Sequence, residues 1–144
     1  MRYKYYQFLF VSCFIILSSC TSKNASIPEY MIGEFQDDYK IEYQLSESRF
    51  IQKPNITYNI ISWNVEEQYF IAQNDSTNAF DSNLYSRIDW MEFENMEPFK
   101  WGFCLSAYNA PSIDSAKAVH TTDRSNPKTG CNGFPFSRMK PITK

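Results

Sequence analysis

Short runs in which apolar and polar residues alternate constrain the fold of this chain more than any other feature. The run from residue 39 to 45 would place four apolar side chains on one face: Tyr39, Ile41, Tyr43 and Leu45. The run from residue 99 to 105 repeats the pattern with an almost wholly aromatic face: Phe99, Trp101, Phe103 and Leu105. Because alternation with a period of two is typical of a strand buried on one side, both runs predict β-strands.

Further short runs, separated by turn residues, predict strands at residues 49–53, 56–63, 69–72 and 84–93, with a polar loop at 74–83. One helix is predicted from about residue 113 to 121, with Ser112 as its N-cap and an apolar face of Ile113, Ala116 and Val119. The proline- and glycine-containing remainder is predicted as loop. These elements favour a mainly β fold: an antiparallel meander, open or closed into a small barrel, with one C-terminal helix.

Composition and charge favour a packed domain and exclude one class of partner. Aromatic residues make up 17% of the chain, which is typical of an ordered core rather than a disordered tail. The formal charge is −2, and loss of Arg2 and Lys4 with an N-terminal signal would make it −4. Because no Lys/Arg cluster offsets this balance, nucleic acid is excluded as a partner. A core of this size needs no metal or cofactor to fold, and none is predicted.

The N-terminus has the pattern of an export signal. Arg2 and Lys4 precede an apolar run, residues 8–17, which at about ten residues is too short to span a bilayer. The run ends in Leu17-Ser18-Ser19-Cys20, which resembles the lipobox of bacterial lipoproteins. The resemblance implies cleavage before Cys20 and acyl chains on that cysteine, and Thr21 in place of Asp implies sorting to the outer membrane. The alternative is an ordinary signal peptide.

These features divide the chain into three parts. Residues 1–19 are predicted to be a removed signal peptide, residues 20–28 a lipidated tether, and residues 29–144 a single β-rich domain. The domain opens with Gly33-Glu34-Phe35, which is similar to the Gly-x-Trp start of lipocalins and departs from it at Phe35. That resemblance implies a lipocalin-like barrel; otherwise the domain is assigned to no characterised family.

The cysteines and the histidine limit the chemistry. Cys104 and Cys131 remain after the signal and the lipidated cysteine are set aside, and an oxidising compartment predicts a disulfide between them. Two separate thiols or a redox pair are the alternatives. His120 is the only histidine, which excludes multi-histidine metal sites, and we expect it half-buried on the helix. A Ser-His-Asp arrangement with Asp123 is the less favoured interpretation, and no catalytic residue is assigned.

A ligand pocket is predicted from the inward aromatic faces. Arg87 and Asp89 share one strand face, and they either orient a ligand in the pocket or, the favoured interpretation, form a solvated ion pair. The candidate pocket residues are Tyr39, Tyr43, Tyr58, Arg87, Phe99, Trp101 and Phe103.

Three functions follow from this pattern. The first is a lipid-anchored envelope protein with a noncatalytic domain that binds a small apolar or amphipathic ligand in an aromatic-lined cup. The second is a structural or assembly lipoprotein with a solid core that binds other envelope proteins. The third, least favoured, is a hydrolase of unknown type.

Overall fold

The computed structural model describes residues 26–143, so the predicted signal peptide and Cys20 lie outside the described residues. Eight strands form a closed antiparallel barrel in which each strand pairs with the next and β1 pairs with β8. The elements are a 3-10 helix at Glu29–Met31, β1 Gly33–Gln36, β2 Glu42–Leu45, β3 Arg49–Gln52, β4 Ile56–Asn64, β5 Tyr69–Asn74, β6 Tyr85–Glu92, β7 Trp101–Ala110, α1 Ile113–Lys117 and β8 Ser137–Pro141. The predicted mainly β meander is confirmed, and of its two forms the closed barrel is the one adopted.

The C-terminal part differs from the prediction in two places. The segment predicted as loop contains β8, which pairs with β7 at positions such as Met139 with Trp101. The helix ends at Lys117 rather than near 121, because the following chain turns away to form a β-bridge between Thr122 and Cys131. Ser112 caps α1 as predicted, and it does so in a reciprocal capping box with Ser115. His120 therefore lies beyond the helix and is exposed, not half-buried.

Aromatic rings fill the inside of the barrel. Phe50 packs against the rings of Phe70 and Phe103, with centroid separations of 5.9 and 5.1 Å. At other points Phe35 meets Trp101 at 5.2 Å and Trp63 meets Phe70 at 4.6 Å. Edge-to-face and tilted pairs at these separations add attraction beyond the area that they bury.

The helix α1 packs on the outside of the barrel, over β5, β6 and β7, where Ala116 is fully buried beside Tyr69 and Ile71. The disulfide between Cys104 and Cys131 is present, with Cα atoms 5.4 Å apart. It joins β7 to the segment that follows the helix. Closing 27 residues of chain stabilises the fold by roughly 3.5 kcal/mol on the chain-entropy estimate.

Candidate functional site

The seven residues predicted to line a pocket divide between the inside and the outside of the barrel. Tyr43, Tyr58, Trp101 and Phe103 lie inside it and are buried. The Tyr43 and Phe103 centroids are 5.5 Å apart, and Phe50 stacks on both Tyr43 and Tyr58, while Trp101 meets Phe35. Tyr43, Trp101 and Phe103 therefore fill the interior rather than wall the aromatic cup that the sequence suggested, whereas Tyr58 also borders a cavity at one end of the barrel.

Tyr39 and Phe99 do not continue the inward aromatic faces, so this part of the prediction is wrong. Tyr39 is 83% exposed, because Lys40 adopts a φ of 65° and the resulting turn interrupts the alternation before β2 begins. Phe99 precedes β7 and lies against Arg138, whose guanidinium is 4.4 Å from the ring centre. In both places the strand starts at least two residues later than the apolar pattern.

Arg87 forms the predicted ion pair with Asp89, but the pair is buried on the outer face of β6, so the predictions that it is solvated or points into an inner pocket are wrong. Its guanidinium bonds to Asp89 through two nitrogens, at 2.8 and 3.0 Å, and donates to the Lys117 carbonyl at the end of α1 at 2.8 Å. It also stacks 3.8 Å above the ring of Tyr69. The helix covers this face, so a pair that alternation alone would place in water is buried.

Asp89 is the centre of this buried network. Besides Arg87, its carboxylate accepts hydrogen bonds from Ser106 and from Arg124, the latter at 3.0 Å. Arg124 also donates to backbone carbonyls at the β4–β5 turn and at Trp90. The network ties the segment after α1 to the barrel wall. Arg124 was not predicted, because a single arginine in a loop carries no periodic signal.

The electrostatics of this network keep Asp89 ionised. Burial alone would raise the pKa of Asp89, but hydrogen bonds from Arg87 and Ser106 and the charges of Arg87 and Arg124 together hold the pKa below its usual value. The carboxylate is fully used by protein groups. The network therefore stabilises the fold and offers no unoccupied group for chemistry on a substrate.

A cavity of about 560 Å³ lies on the outside of the barrel, and we call it the outer groove. Three segments distant in the sequence form it: the β1–β2 turn, the β6–β7 loop and the chain that leads into β8. Tyr39 and Phe134 border it and are 83% and 71% exposed, while Phe93 and Met96 contribute further apolar wall. A Cβ atom on Gly102 would lie 2.9 Å from the Phe93 ring, so glycine at this position lets that ring pack against β7.

Four charged residues line the outer groove, and their formal charges sum to zero. Asp37 accepts hydrogen bonds from the backbone N–H groups of Tyr39 and Ile41, at 2.8 and 2.9 Å. Arg138 forms a two-pronged ion pair with Asp38, with both N···O distances 2.8 Å. Lys128 completes the set. Because the charges balance, the outer groove carries no net formal charge.

A second cavity, of about 380 Å³, opens at one end of the barrel, and we call it the barrel mouth. The β3–β4 turn and the β5–β6 loop border it. Asn78 pairs with both backbone groups of Thr57, at 2.9 and 2.8 Å, and Asn74 donates to the carbonyls of Asp81 and Tyr108, at 2.8 and 2.7 Å. The polar loop predicted at 74–83 is therefore fastened across the barrel end by its amide side chains.

Metal-type clusters and membrane-spanning helices are absent from the part of the chain that the structure describes. Within residues 26–143 no three or more His, Cys, Asp or Glu side chains come together as a metal site would require. Over the same range, no helix combines the length and the apolarity needed to cross a bilayer. Comparison with protein-family models, curated proteins and solved structures finds no match.

Proposed function

We propose that this chain is the precursor of a lipid-anchored bacterial envelope protein whose barrel is a noncatalytic binding domain. The lipobox pattern at residues 17–20 supports the anchor, and its Thr21 supports an outer-membrane location. The observation that carries the binding function is the outer groove, an apolar concave surface with exposed aromatic rings on a barrel whose interior is filled. Exposed apolar surface of this kind is typical of interaction sites.

Replacing Cys20 with Ser is expected to abolish membrane attachment, because the acyl chains on this cysteine are the proposed anchor. Metabolic labelling with palmitate and fractionation of the cells measure the effect: the variant should lose the label and leave the membrane fraction. Cys13→Ser, in the proposed signal peptide, is the matched control and should change neither. A Cys20→Ser protein that keeps its label would disprove the anchor.

The occupant that best fits the outer groove is an apolar segment of another envelope protein. Tyr39 and Phe134 project into solvent at 83% and 71% exposure, and aromatic residues are enriched where proteins meet. The closed barrel has paired both edges of its sheet, so side chains of the groove rather than an open strand edge would bind the partner. This assigns the protein a structural or assembly role.

A small amphipathic ligand in the same groove is the second candidate. The volume of about 560 Å³ lies within the range of small-molecule sites, and the apolar walls stand beside charged residues such as Lys128. The ligand would sit on the outer wall and not in the packed interior.

Site-specific photocrosslinking tests the outer groove. Tyr39→p-benzoylphenylalanine in the lipidated protein is expected to form one discrete crosslinked product with an envelope protein in the producing bacterium, because position 39 borders the groove. Adding Phe134→Ser should reduce the yield about tenfold, the effect of losing one well-placed aromatic contact. Ile61→p-benzoylphenylalanine, on an exposed position of β4, is the matched control.

Two results decide between the candidates. Equal crosslinking from positions 39 and 61 would overturn the assembly role. Saturable binding of an environment-sensitive apolar dye that is lost in Phe134→Ser, without a protein crosslink, would favour the small amphipathic ligand.

A further inference from the structure

The barrel mouth is bordered by a tyrosine hydroxyl group that has no hydrogen-bond partner among residues 26–143. The ring of Tyr58 stacks on Phe50 with centroids 6.0 Å apart, and the residue is only 8% exposed. Its side chain borders the mouth, and among residues 26–143 no group forms a hydrogen bond with its hydroxyl. A hydroxyl group that borders a cavity and makes no bond to the described protein can donate to or accept from a ligand.

Asp81 gives the mouth its charge. It is the only ionisable acid or base that lines this cavity, apart from the two tyrosines, and it makes no ion pair within the described part of the chain. Burial first, and then the charge of Asp81, raises the pKa of Tyr58. The phenol remains a neutral hydrogen-bonding group beside a carboxylate that has no cation.

Aromatic and aliphatic side chains surround these two polar groups. Phe80 is 85% exposed and Tyr108 51% exposed at the entrance, and Ile56 and Leu105 line the cavity with their apolar side chains. Aromatic rings next to a carboxylate are a favourable environment for an ammonium group, because the ring faces and the carboxylate both carry negative potential.

From these contacts we propose that the barrel mouth binds an organic amine. Its ammonium group lies between the Asp81 carboxylate and the Tyr58 hydroxyl, and its apolar body packs on Ile56 and Leu105 beneath Phe80. This site is separate from the outer groove and does not depend on the function proposed for that groove.

The lining also disfavours other ligand classes. An anion would meet the Asp81 carboxylate with no Lys or Arg among the residues that line the mouth. A sugar needs several unoccupied hydrogen-bonding groups, but the amides of Asn74 and Asn78 are already bonded to the protein backbone, which leaves Asn55 as the only asparagine of the lining with an amide unoccupied by the described residues. A single positive charge with a compact apolar body is the chemistry that the remaining groups match.

Calorimetric titration of the mature lipidated chain in a nonionic detergent tests the proposal with 2-phenylethylammonium chloride. Neutral 2-phenylethanol and anionic 3-phenylpropanoate have the same ring and differ in charge. The expected order of affinity is ammonium, then alcohol, then carboxylate, with about a tenfold advantage for the ammonium over the alcohol. Methyl glucoside is included to detect a sugar site.

Two variants remove the recognising groups without removing known protein contacts. Asp81→Asn should weaken ammonium binding about tenfold, and Tyr58→Phe should weaken it about threefold, while the affinity for 2-phenylethanol changes little. Asn is well suited to the φ of 52° at position 81, and the Tyr58 hydroxyl has no protein partner, so both variants should keep the wild-type melting temperature. Glu94→Gln, in the exposed β6–β7 loop, is the matched charge control.

Unchanged ammonium affinity in Asp81→Asn overturns the proposal, as does equal wild-type affinity for the ammonium and the alcohol. Preferred binding of methyl glucoside also overturns it, in favour of a sugar site. Because the three aromatic probes are compared on the wild-type protein, the result does not depend on the variants folding.

Discussion

Replacing Asp89 with Asn is expected to lower the free energy of unfolding by about 3–5 kcal/mol, because it leaves the guanidinium groups of Arg87 and Arg124 without their counter-charge. Asp89 and Arg87 are both almost completely buried, so water cannot replace the lost carboxylate. Urea unfolding followed by circular dichroism measures the change. Asp38→Asn breaks an ion pair of the same two-pronged geometry whose side chains are 40% and 38% exposed, so water can solvate the remaining charge and the change should cost only about 0–1 kcal/mol.

The same network predicts a pH dependence. The pKa of Asp89 is lowered in the folded protein, so its contribution is present above the unfolded pKa of about 3.9 and is lost as the pH falls through the folded pKa. The stability difference between wild type and Asp89→Asn should therefore be largest near neutral pH and shrink below about pH 4. A difference that stays constant down to pH 2 would contradict the linkage.

Trp101→Ala is the second substitution with a large expected effect, a loss of about 3–5 kcal/mol of unfolding free energy. Trp101 is fully buried, and its ring meets that of Phe35 edge-on at 5.2 Å, so the truncation leaves a cavity that the barrel wall cannot close. Urea unfolding again provides the measurement. Tyr39→Ala removes a strongly exposed ring and should change stability by less than about 0.5 kcal/mol.

Trp101→Phe separates the effect of volume from that of hydrogen bonding. The indole Nε1 of Trp101 is buried and has no hydrogen-bond partner within residues 26–143, so phenylalanine removes an unsatisfied donor while it keeps most of the packing. We expect a much smaller loss than for alanine. A loss below about 1 kcal/mol for Trp101→Ala itself would instead mean that the ring borders empty space, as a hollow carrier requires.

The alternation of apolar and polar residues correctly predicted which side chains point into the barrel where the strands are regular. Tyr43 and Leu45 on β2, and Trp101 and Phe103 on β7, point inward as their spacing requires. Closure was not predictable, since it depends on β8, a five-residue strand in which Met139 is the single buried residue. So short a strand shows no alternation of its own, and its register is set by the neighbouring strands.

The candidate sites were harder to predict than the fold because they are assembled from separate segments. The outer groove joins Tyr39, Phe93 and Phe134, which share no motif and meet only because the closed barrel brings their loops together. Tyr58 was identified from its alternation, but its role at the barrel mouth depends on Asp81, which lies in a loop without periodicity. The burial of Arg87 could not be predicted, because it depends on where α1 packs on the barrel.

The pairing of β1 with β8 also bears on how the chain acquires its shape. Gln36 on β1 pairs with Lys140 on β8, so the contact that closes the barrel joins residues near opposite ends of the described chain. Contacts so distant in sequence form slowly, and until this one forms, β1 and β7 both present unpaired backbone to other chains. We therefore expect newly made chains to aggregate by strand addition when the pairing of β8 is delayed or when β8 is removed.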